Sequence, residues 1–231
     1  MWYNEDITGD DIVAFAKGKI FFFKGTRVKL WNTYKEFTKI PKEVHGKQSG
    51  VLDLKKAKEP IEYDSLLEKK ILRDLDDCNF IREIKTQSLE IPFKAKFGPK
   101  MHTYIPDIQL LLHGGAIVII EVKPFKEMVN STVLRKNKAL RLYCKENGYG
   151  YAIVDMINNN YYTFEDLKKE KVLEDVQKKF IEFIAEREKV TFTECKQFKK
   201  EYSINDKQIC YIIWKNKRKI KYQQYKIMIK E

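Results

Sequence analysis

The chain has 231 residues, of which 43% are hydrophobic and 13% aromatic, and it carries a formal net charge of +12. This composition excludes global disorder, and the length allows one domain of about 150 residues with smaller appendages. There is no run of about 18 apolar residues, and the first residues form neither a basic n-region nor an apolar h-region. We therefore expect a cytoplasmic protein with no membrane span.

The positive charge is concentrated at the two ends of the chain. Residues 1–60 carry 12 Lys/Arg and 8 Asp/Glu, and residues 191–231 carry 11 and 4, whereas residues 61–190 are almost balanced with 22 and 21. Basic ends around a near-neutral middle are typical of an enzyme whose flanks bind a polyanion. A generally basic proteome with solvated lysine side chains explains the same pattern.

Residues 1–58 are predicted to form a basic N-terminal region. From about residue 39 the segment contains Pro, Gly, Ser and several lysines without clear periodicity. It is interpreted as a basic arm that leads into the next domain, in which lysines contact backbone phosphates. The candidate DNA contacts in this arm are Lys47, Lys55 and Lys56.

A helix is predicted from Glu59 to about Asp77. Pro60 suits a first helical turn, and an apolar stripe follows at helical spacing. Glu68 lies beside that stripe. Taken alone, Glu68 is interpreted as an exposed helix glutamate balanced by Lys69 or Arg73.

Residues 80–93 are predicted to form one bent strand or two short strands. The following segment, 94–102, contains Gly98 and Pro99 and is predicted to be a loop. It would place three lysines on the side from which a substrate arrives. These candidate DNA contacts are Lys94, Lys96 and Lys100.

Residues 104–123 are predicted to form a hairpin of two apolar strands joined at His113-Gly114-Gly115. A three-residue loop pairs 112 with 116 and 111 with 117, which sets Asp107 opposite Glu121. Lys123 then projects from the same face of the sheet as Glu121. Two acids and a lysine are thus predicted to converge on one patch of an apolar hairpin.

These residue types suit phosphate chemistry with a divalent metal. Two carboxylates at this spacing make an oxygen site for Mg²⁺ or Mn²⁺, which leaves positions open for waters and a phosphate. The ammonium of Lys123 can orient or activate an attacking water. The alternative is an edge strand with outward charges, or a Lys/Glu pair that only solubilises the hairpin.

A helix is predicted from about Val133 to Glu146, capped by residues 130–132, and a short strand over 151–154. Its inward face is predicted to be Leu134, Ala139, Leu142 and Tyr143, and its charged outer face to be Arg135, Lys136, Lys138 and Arg141. Strand, helix and strand in this order imply a right-handed parallel crossover beside the hairpin. The fold class is therefore predicted to be α/β, with a mixed sheet flanked by helices.

Residues 161–231 are predicted to form a basic, mostly helical module. A capping box at Thr163 and Asp166 opens the module, with a helix break near 170–171. Two further helices, at 193–201 and from Asp206 to about Lys219, precede a terminal strand from Tyr222 to Ile229. This order indicates a helix-turn-helix or winged-helix module that binds DNA or docks a protein partner. Its candidate DNA contacts are Lys215, Lys217, Arg218 and Lys219.

Pro106-Asp107, thirteen intervening residues and Glu121-Val122-Lys123 resemble the motif of PD-(D/E)XK nucleases, a superfamily of metal-dependent phosphodiesterases. The upstream run 62–68, Glu-Tyr-Asp-Ser-Leu-Leu-Glu, resembles the (Y/F)-E-S-x-x-E helix of TnsA-like endonucleases, which cleave transposon ends. The resemblance covers about residues 45–155 and implies a restriction-endonuclease-like fold. It implies that Glu68 completes the metal site and that Gln87 lies near it.

This resemblance predicts a Mg²⁺-dependent DNA endonuclease with a nuclease core at residues 59–160. Its partners would be DNA and, in the transposon-end role, a transposase subunit and an ATPase regulator. A stand-alone phage, repair or restriction-type nuclease of the same fold is the second interpretation. The third is a DNA-binding or assembly adaptor with a degenerate nuclease fold, which the intact Asp107, Glu121 and Lys123 argue against.

Overall fold

The computed structural model of the chain describes residues 48–94 and 100–230. Most of the predicted basic arm therefore lies outside the described residues. In chain order the described elements are β1 (Gly50–Leu52), β2 (Ile61–Tyr63), α1 (Leu66–Asp76), β3 (Ile81–Thr86), β4 (Ile91–Lys94), β5 (Met101–Tyr104), β6 (Ile108–Leu112), β7 (Ile117–Val122), a 3₁₀ turn (Glu127–Val129), α2 (Ser131–Asn147), β8 (Gly150–Ile157), β9 (Asn160–Thr163), α3 (Phe164–Lys169), α4 (Glu174–Ala185), β10 (Lys189–Val190), α5 (Lys196–Glu201), α6 (Asp206–Lys215), β11 (Ile220–Gln223) and β12 (Lys226–Ile229).

The described residues divide into two compact units. The first contains the residues up to Val122 together with Lys136–Tyr161, and the second contains Lys123–Arg135 together with the residues from Tyr162 onward. None of the helices in the described ranges combines the length and the apolar character needed to cross a bilayer.

A five-stranded mixed sheet in the order β3-β6-β7-β8-β9 is the centre of the fold. β6 pairs with β3 and β7 in antiparallel fashion, and β7 pairs with β8 in parallel. α2 connects β7 to β8, as the predicted crossover requires. The predicted fold class, α/β with a mixed sheet flanked by helices, is confirmed.

The hairpin β6–β7 has the predicted register. The pairs run from Leu111 with Ile117 to Ile108 with Ile120, and the amide of Leu112 donates to the carbonyl of Ala116. Gly115 adopts φ of 84°, a left-handed conformation that favours glycine. The loop therefore consists of three residues, 113–115.

One face of the sheet packs against α1. The core on this face includes Val118, Ile120 and Val122 of β7 and the apolar stripe of α1, formed by Ile71, Leu72 and Leu75. Side chains alternate between faces along a strand, so the odd-numbered residues of β7 point to the opposite face. Glu121 is one of them.

The predicted start of α1 is wrong. The helix begins at Leu66, because Ser65 takes extended dihedrals and its hydroxyl accepts a hydrogen bond from the amide of Glu68. Residues 61–63 form strand β2, which pairs with β1, and Ile61 and Tyr63 of that strand are buried. Pro60 therefore precedes a strand and does not open the helix.

The last turn of α1 is joined to the segment before β2. The carboxylate of Asp76, which is 8% exposed, accepts hydrogen bonds from the amides of Lys55 and Lys56, each at 3.0 Å. The ammonium of Lys56 donates to the carbonyls of Asp76 and Cys78. Lys56 thus satisfies carbonyls at a helix end, which would otherwise lack partners. Its ammonium therefore has protein partners in this structure, and its contact with DNA stays a prediction.

The predicted faces of α2 are also wrong. The buried residues of the helix are Asn137, Leu140 and Cys144, whereas Leu142 is 49% exposed. The predicted outer residue Arg141 lies over the ring of Tyr151. The helix starts as predicted near Asn130, whose side chain accepts a hydrogen bond from the amide of Thr132.

In the second unit, short helices surround a three-stranded sheet of order β10-β12-β11. The Thr163 and Asp166 capping box opens α3 as predicted, and the helical region is interrupted before α4. α6 ends at Lys215, four residues before the predicted end. The predicted terminal strand is a hairpin, because Gln224 and Tyr225 adopt φ of 50° and 60° and form a two-residue turn.

Replacement of Asp76 by Ala is expected to destabilise the protein. It removes the acceptor of two backbone hydrogen bonds at a nearly buried position, which costs about 1–3 kcal/mol in the free energy of unfolding. Asp77→Ala is the matched control, since its ion pair with Lys55 is exposed and contributes about 0–1 kcal/mol. Urea denaturation measures both, and equal stability of the two variants would contradict this account of the helix end.

Candidate active site

Asp107 lies between the proline of the motif and the start of β6. It is 6% exposed, and its Oδ2 accepts a hydrogen bond of 2.8 Å from the amide of Val122 in β7. The last pair of the hairpin is Ile108 with Ile120, so the next position along the register sets Asp107 opposite Glu121. The carboxylate of Asp107 is therefore fixed by the strand that carries Glu121.

Glu121 is the penultimate residue of β7 and is 4% exposed. Along the other side of this strand it pairs with Ile153 of β8, so it lies inside the sheet and not at its edge. This position argues against a surface charge that only solubilises the hairpin. Two acids are therefore buried next to each other, where an uncompensated charge is costly.

Glu68 lies in the first turn of α1, where local hydrogen bonds hold its carboxylate. Oε2 accepts from the amide of Asp64 at 2.8 Å, and Oε1 accepts from the hydroxyl of Ser65 at 3.1 Å. Burial raises the pKa of Glu68, and the negative charge of Asp107 raises it further. The charge of Asp107 therefore acts on Glu68, and the role of Glu68 in a metal site stays a prediction.

Gln87 follows β3 directly and is 4% exposed. Its φ of 48° is left-handed, which is uncommon for a residue other than glycine. Its amide donates to the carbonyl of Asp107 at 3.2 Å, and its Nε2 is 3.5 Å from Oδ2 of Asp64. Gln87 therefore joins the segment that precedes α1 to the segment that carries Asp107.

Tyr104 is a residue of this region that the sequence did not single out. It is 2% exposed, and its pKa is raised well above the usual value of 10, first by burial and then by the charges of Glu121 and Asp107. A tyrosine two residues before the motif proline carries no sequence signal of its own, because aromatic residues at strand ends usually serve packing.

The remaining predicted residues are placed as follows. Lys123 directly follows β7, is half-buried and belongs to the second unit. Lys47 and Lys96 lie outside the described residues. The exposed candidates for contact with DNA are Lys55, Lys94, Lys100, Lys215, Lys217, Arg218 and Lys219.

The donor set suits a hard divalent cation. Glu68, Asp107 and Glu121 offer only carboxylate oxygens, which Mg²⁺ and Mn²⁺ prefer. The raised pKa of Glu68 shows that the burial of neighbouring acids has an electrostatic cost, which a cation would offset. Within residues 48–94 and 100–230, no three His, Cys, Asp or Glu side chains already stand close enough together to enclose a metal ion. Mg²⁺ commonly takes one or two protein carboxylates and fills its other positions with water.

The comparison with known protein families agrees with this geometry. Residues 78–156 match the family model described as TnsA-like endonuclease N terminal. No curated protein matches the chain. The matched segment contains Gln87, Asp107, Glu121 and Lys123, whereas Glu68 lies ten residues before it. The resemblance predicted from the sequence is confirmed for this segment: residues 78–156 are similar to the N-terminal domain of TnsA-like endonucleases.

Proposed function

We propose that this protein is a metal-dependent endonuclease that hydrolyses phosphodiester bonds of DNA, in the manner of the TnsA-like subunit that cleaves transposon ends. The observation that carries the proposal is the pair of buried acids, Asp107 and Glu121, set opposite each other at the ends of two paired strands. Support comes from the TnsA-like match, which spans both acids and Lys123.

In this proposal the three acids hold the metal, and Lys123 acts on the attacking water. Asp107, Glu121 and Glu68 would hold one or two Mg²⁺ or Mn²⁺ ions. When bound, such an ion polarises a phosphate and lowers the pKa of a bound water. Lys123, the last residue of the motif, positions or deprotonates that water for in-line attack.

The surrounding residues of the first unit support the acids. The amide of Val122 fixes Asp107, and the start of α1 fixes Glu68 through Ser65. Gln87 has its backbone beside Asp107 and its side chain beside Asp64. A residue held in a left-handed conformation at such a point is consistent with a functional role, since strained residues cluster at active sites.

We propose residues 59–160 as the nuclease core and residues 161–231 as a C-terminal module of the winged-helix type. The order α4, β10, α5, α6 and the hairpin β11–β12 follows the winged-helix pattern. In that pattern α6 would be the recognition helix. Its residues before Lys215, however, are buried or half-buried; Lys207 lies over Tyr162, and Trp214 contacts Phe164 edge to face.

The exposed basic residues of the module follow the last turn of α6. They are Lys215, Lys217, Arg218 and Lys219. With the preceding residues of α6 buried or half-buried, these residues are suited to contact backbone phosphates and not base edges. The proposed role of the module is therefore sequence-independent binding to DNA. A transposase subunit and an ATPase regulator would determine which DNA site is cut.

The purified full chain is expected to cut DNA with Mg²⁺ and not with EDTA. Asp107→Ala and Lys123→Ala should each lower the cleavage rate by about 100-fold or more, the effect of removing a group that acts in the transition state. Cleavage is followed on gels with linear, supercoiled and branched DNA, and circular dichroism checks that the variants fold.

Glu90→Ala and Lys138→Ala are the matched controls, since both side chains are exposed. They should cut at the rate of the unmodified protein. Full activity in both Asp107→Ala and Lys123→Ala would remove these residues from the mechanism, and absence of any metal-dependent cleavage would favour the adaptor interpretation.

Glu68→Gln is expected to stabilise the metal-free protein while it abolishes cleavage. The pKa of Glu68 is raised in the folded state, so folded protein binds more protons than unfolded protein as the pH rises above 4.5. The stability of the unmodified protein therefore falls through this range, and that of Glu68→Gln falls less. Thermal unfolding in EDTA should show a higher Tm for Glu68→Gln at pH 7 and similar values near pH 4; a lower Tm at pH 7 would contradict a destabilising effect of the buried Glu68 charge beside Asp107.

Neutralisation of the basic residues 215, 217, 218 and 219 to glutamine should weaken DNA binding equally for all sequences. Because each phosphate contact contributes about 0.9 to the slope of log K against log salt, the slope should become shallower by about 3 to 4. The control variant neutralises four exposed lysines elsewhere, Lys138, Lys145, Lys171 and Lys178. Fluorescence anisotropy over a salt series measures both, and equal slopes in the two variants would show that the module makes no such contacts.

A further inference from the structure

The turn between β11 and β12 consists of residues that do not suit its backbone. Gln224 and Tyr225 both adopt the left-handed conformation, with φ of 50° and 60°. Two-residue hairpin turns of this kind favour Asn or Asp followed by Gly, because a bulky side chain is strained at positive φ. Residues held in such a conformation cluster at functional positions.

The same chain makes this turn a second time with residues that suit it better. Asn158 and Asn159, between β8 and β9, also adopt φ of 50° and 60°. Asparagine is among the residues that most readily take the left-handed conformation after glycine. The dihedrals of the β11–β12 turn therefore do not require a glutamine and a tyrosine, and the presence of Tyr225 needs another explanation.

Packing inside the module does not explain Tyr225. Its side chain is 76% exposed, so most of the ring is in contact with water. An aromatic ring stabilises a fold chiefly by the apolar area that it buries, and this ring buries little. The ring is therefore accessible to another molecule at the tip of the hairpin.

The outer face of this sheet is basic. Tyr222 and Ile227 pair with each other and are buried, so the next residues along each strand point to the opposite, outer face. Lys221 of β11 and Lys226 of β12 are on that face, and the register of β10 adds Lys189. Each of the three strands thus contributes one lysine to the same face.

The sequence around the hairpin does not balance this charge. Residues 207–230 contain eight Lys or Arg and no Asp or Glu. Hydrogen bonds from Thr191 and, less strongly, the charge of Lys226 lower the pKa of Glu194, so this acid offsets part of the charge of Lys226. A surplus of this size attracts a polyanion. Because both strands of the hairpin carry a lysine, they match a groove of double-stranded DNA, which has phosphates on both sides.

We infer that the β11–β12 hairpin enters a groove of double-stranded DNA, where the ring of Tyr225 packs against the bases and Lys221 and Lys226 contact the flanking phosphates. The inference deepens the proposed DNA binding by the C-terminal module and rests on it. Contact of an aromatic ring with a base does not release counterions, whereas each contact of a lysine with a phosphate does. The contributions of the ring and of the lysines are therefore separable by their dependence on salt.

The test uses the full chain with Gln224→Asn and Tyr225→Asn together, which gives this turn the residues of the β8–β9 turn. The dissociation constant for a short DNA duplex should rise by about 5-fold or more at every salt concentration, the effect of losing one ring stacked on a base. The slope of log K against log salt should not change. Fluorescence anisotropy over a salt series measures both quantities, and the Tm should not fall, because asparagine suits the turn.

Two single variants are the matched controls. Tyr225→Phe keeps the ring, so its affinity for the duplex should stay within twofold of that of the unmodified protein. Lys226→Gln removes one phosphate contact, so its salt slope should become shallower by about 0.9. The ring and the neighbouring lysine would then differ in the quantity that each of them changes.

The outcomes separate this inference from the DNA binding on which it rests. Unchanged duplex affinity in the double variant overturns the role of Tyr225 and leaves binding by the module intact. A fall in the Tm of the double variant together with its affinity would show that Tyr225 is structural. A loss of affinity for single strands alone would overturn insertion into a groove. If the unmodified protein does not bind duplex DNA, both proposals fail.

Discussion

The arrangement of the candidate site depends on the register of the hairpin β6–β7. The three-residue loop fixes which residues face each other, and the amide of Val122 holds the carboxylate of Asp107 across the two strands. Because side chains alternate along a strand, a slip by one residue would transfer Glu121 to the face that packs on α1. The apolar residues of that face oppose such a slip, so the same core that stabilises the sheet keeps the two acids together.

The position of Glu68 is determined by another part of the fold. It depends on the position of α1, whose first turn is capped by Ser65 and whose last turn is fixed by Asp76 and Lys56. The helix is held at both ends, and its apolar stripe packs on the sheet. Burial, and after it the charge of Asp107, nevertheless raises the pKa of Glu68, so that ionisation of this side chain costs stability in the metal-free protein. The folded protein thus loses stability at a residue that the proposed chemistry requires, as is common at active sites.

The hairpin could be predicted because its signals are local: two apolar strands, a glycine loop and a register set by loop length. The start of α1 could not, since Pro60 suits a first helical turn, whereas residues 61–63 form a strand by pairing with β1. The contact between Lys136 and the ring of Tyr104 was missed because it joins segments distant in sequence. In α2 the buried Asn137 contradicts the rule that apolar residues define the inner face, so the predicted face was wrong.

The segments that carry the three acids differ in how they can come together as the chain folds. Asp107 and Glu121 belong to one hairpin with a three-residue loop, and such a hairpin closes within about 1–10 μs. Glu68 lies 39 residues earlier in the sequence, so its approach requires closure of a long loop and docking of a helix. The proposed donor set is therefore complete only after this non-local step. A nascent or partly folded chain would contain the hairpin with two of the three acids and would lack the full metal site that we propose.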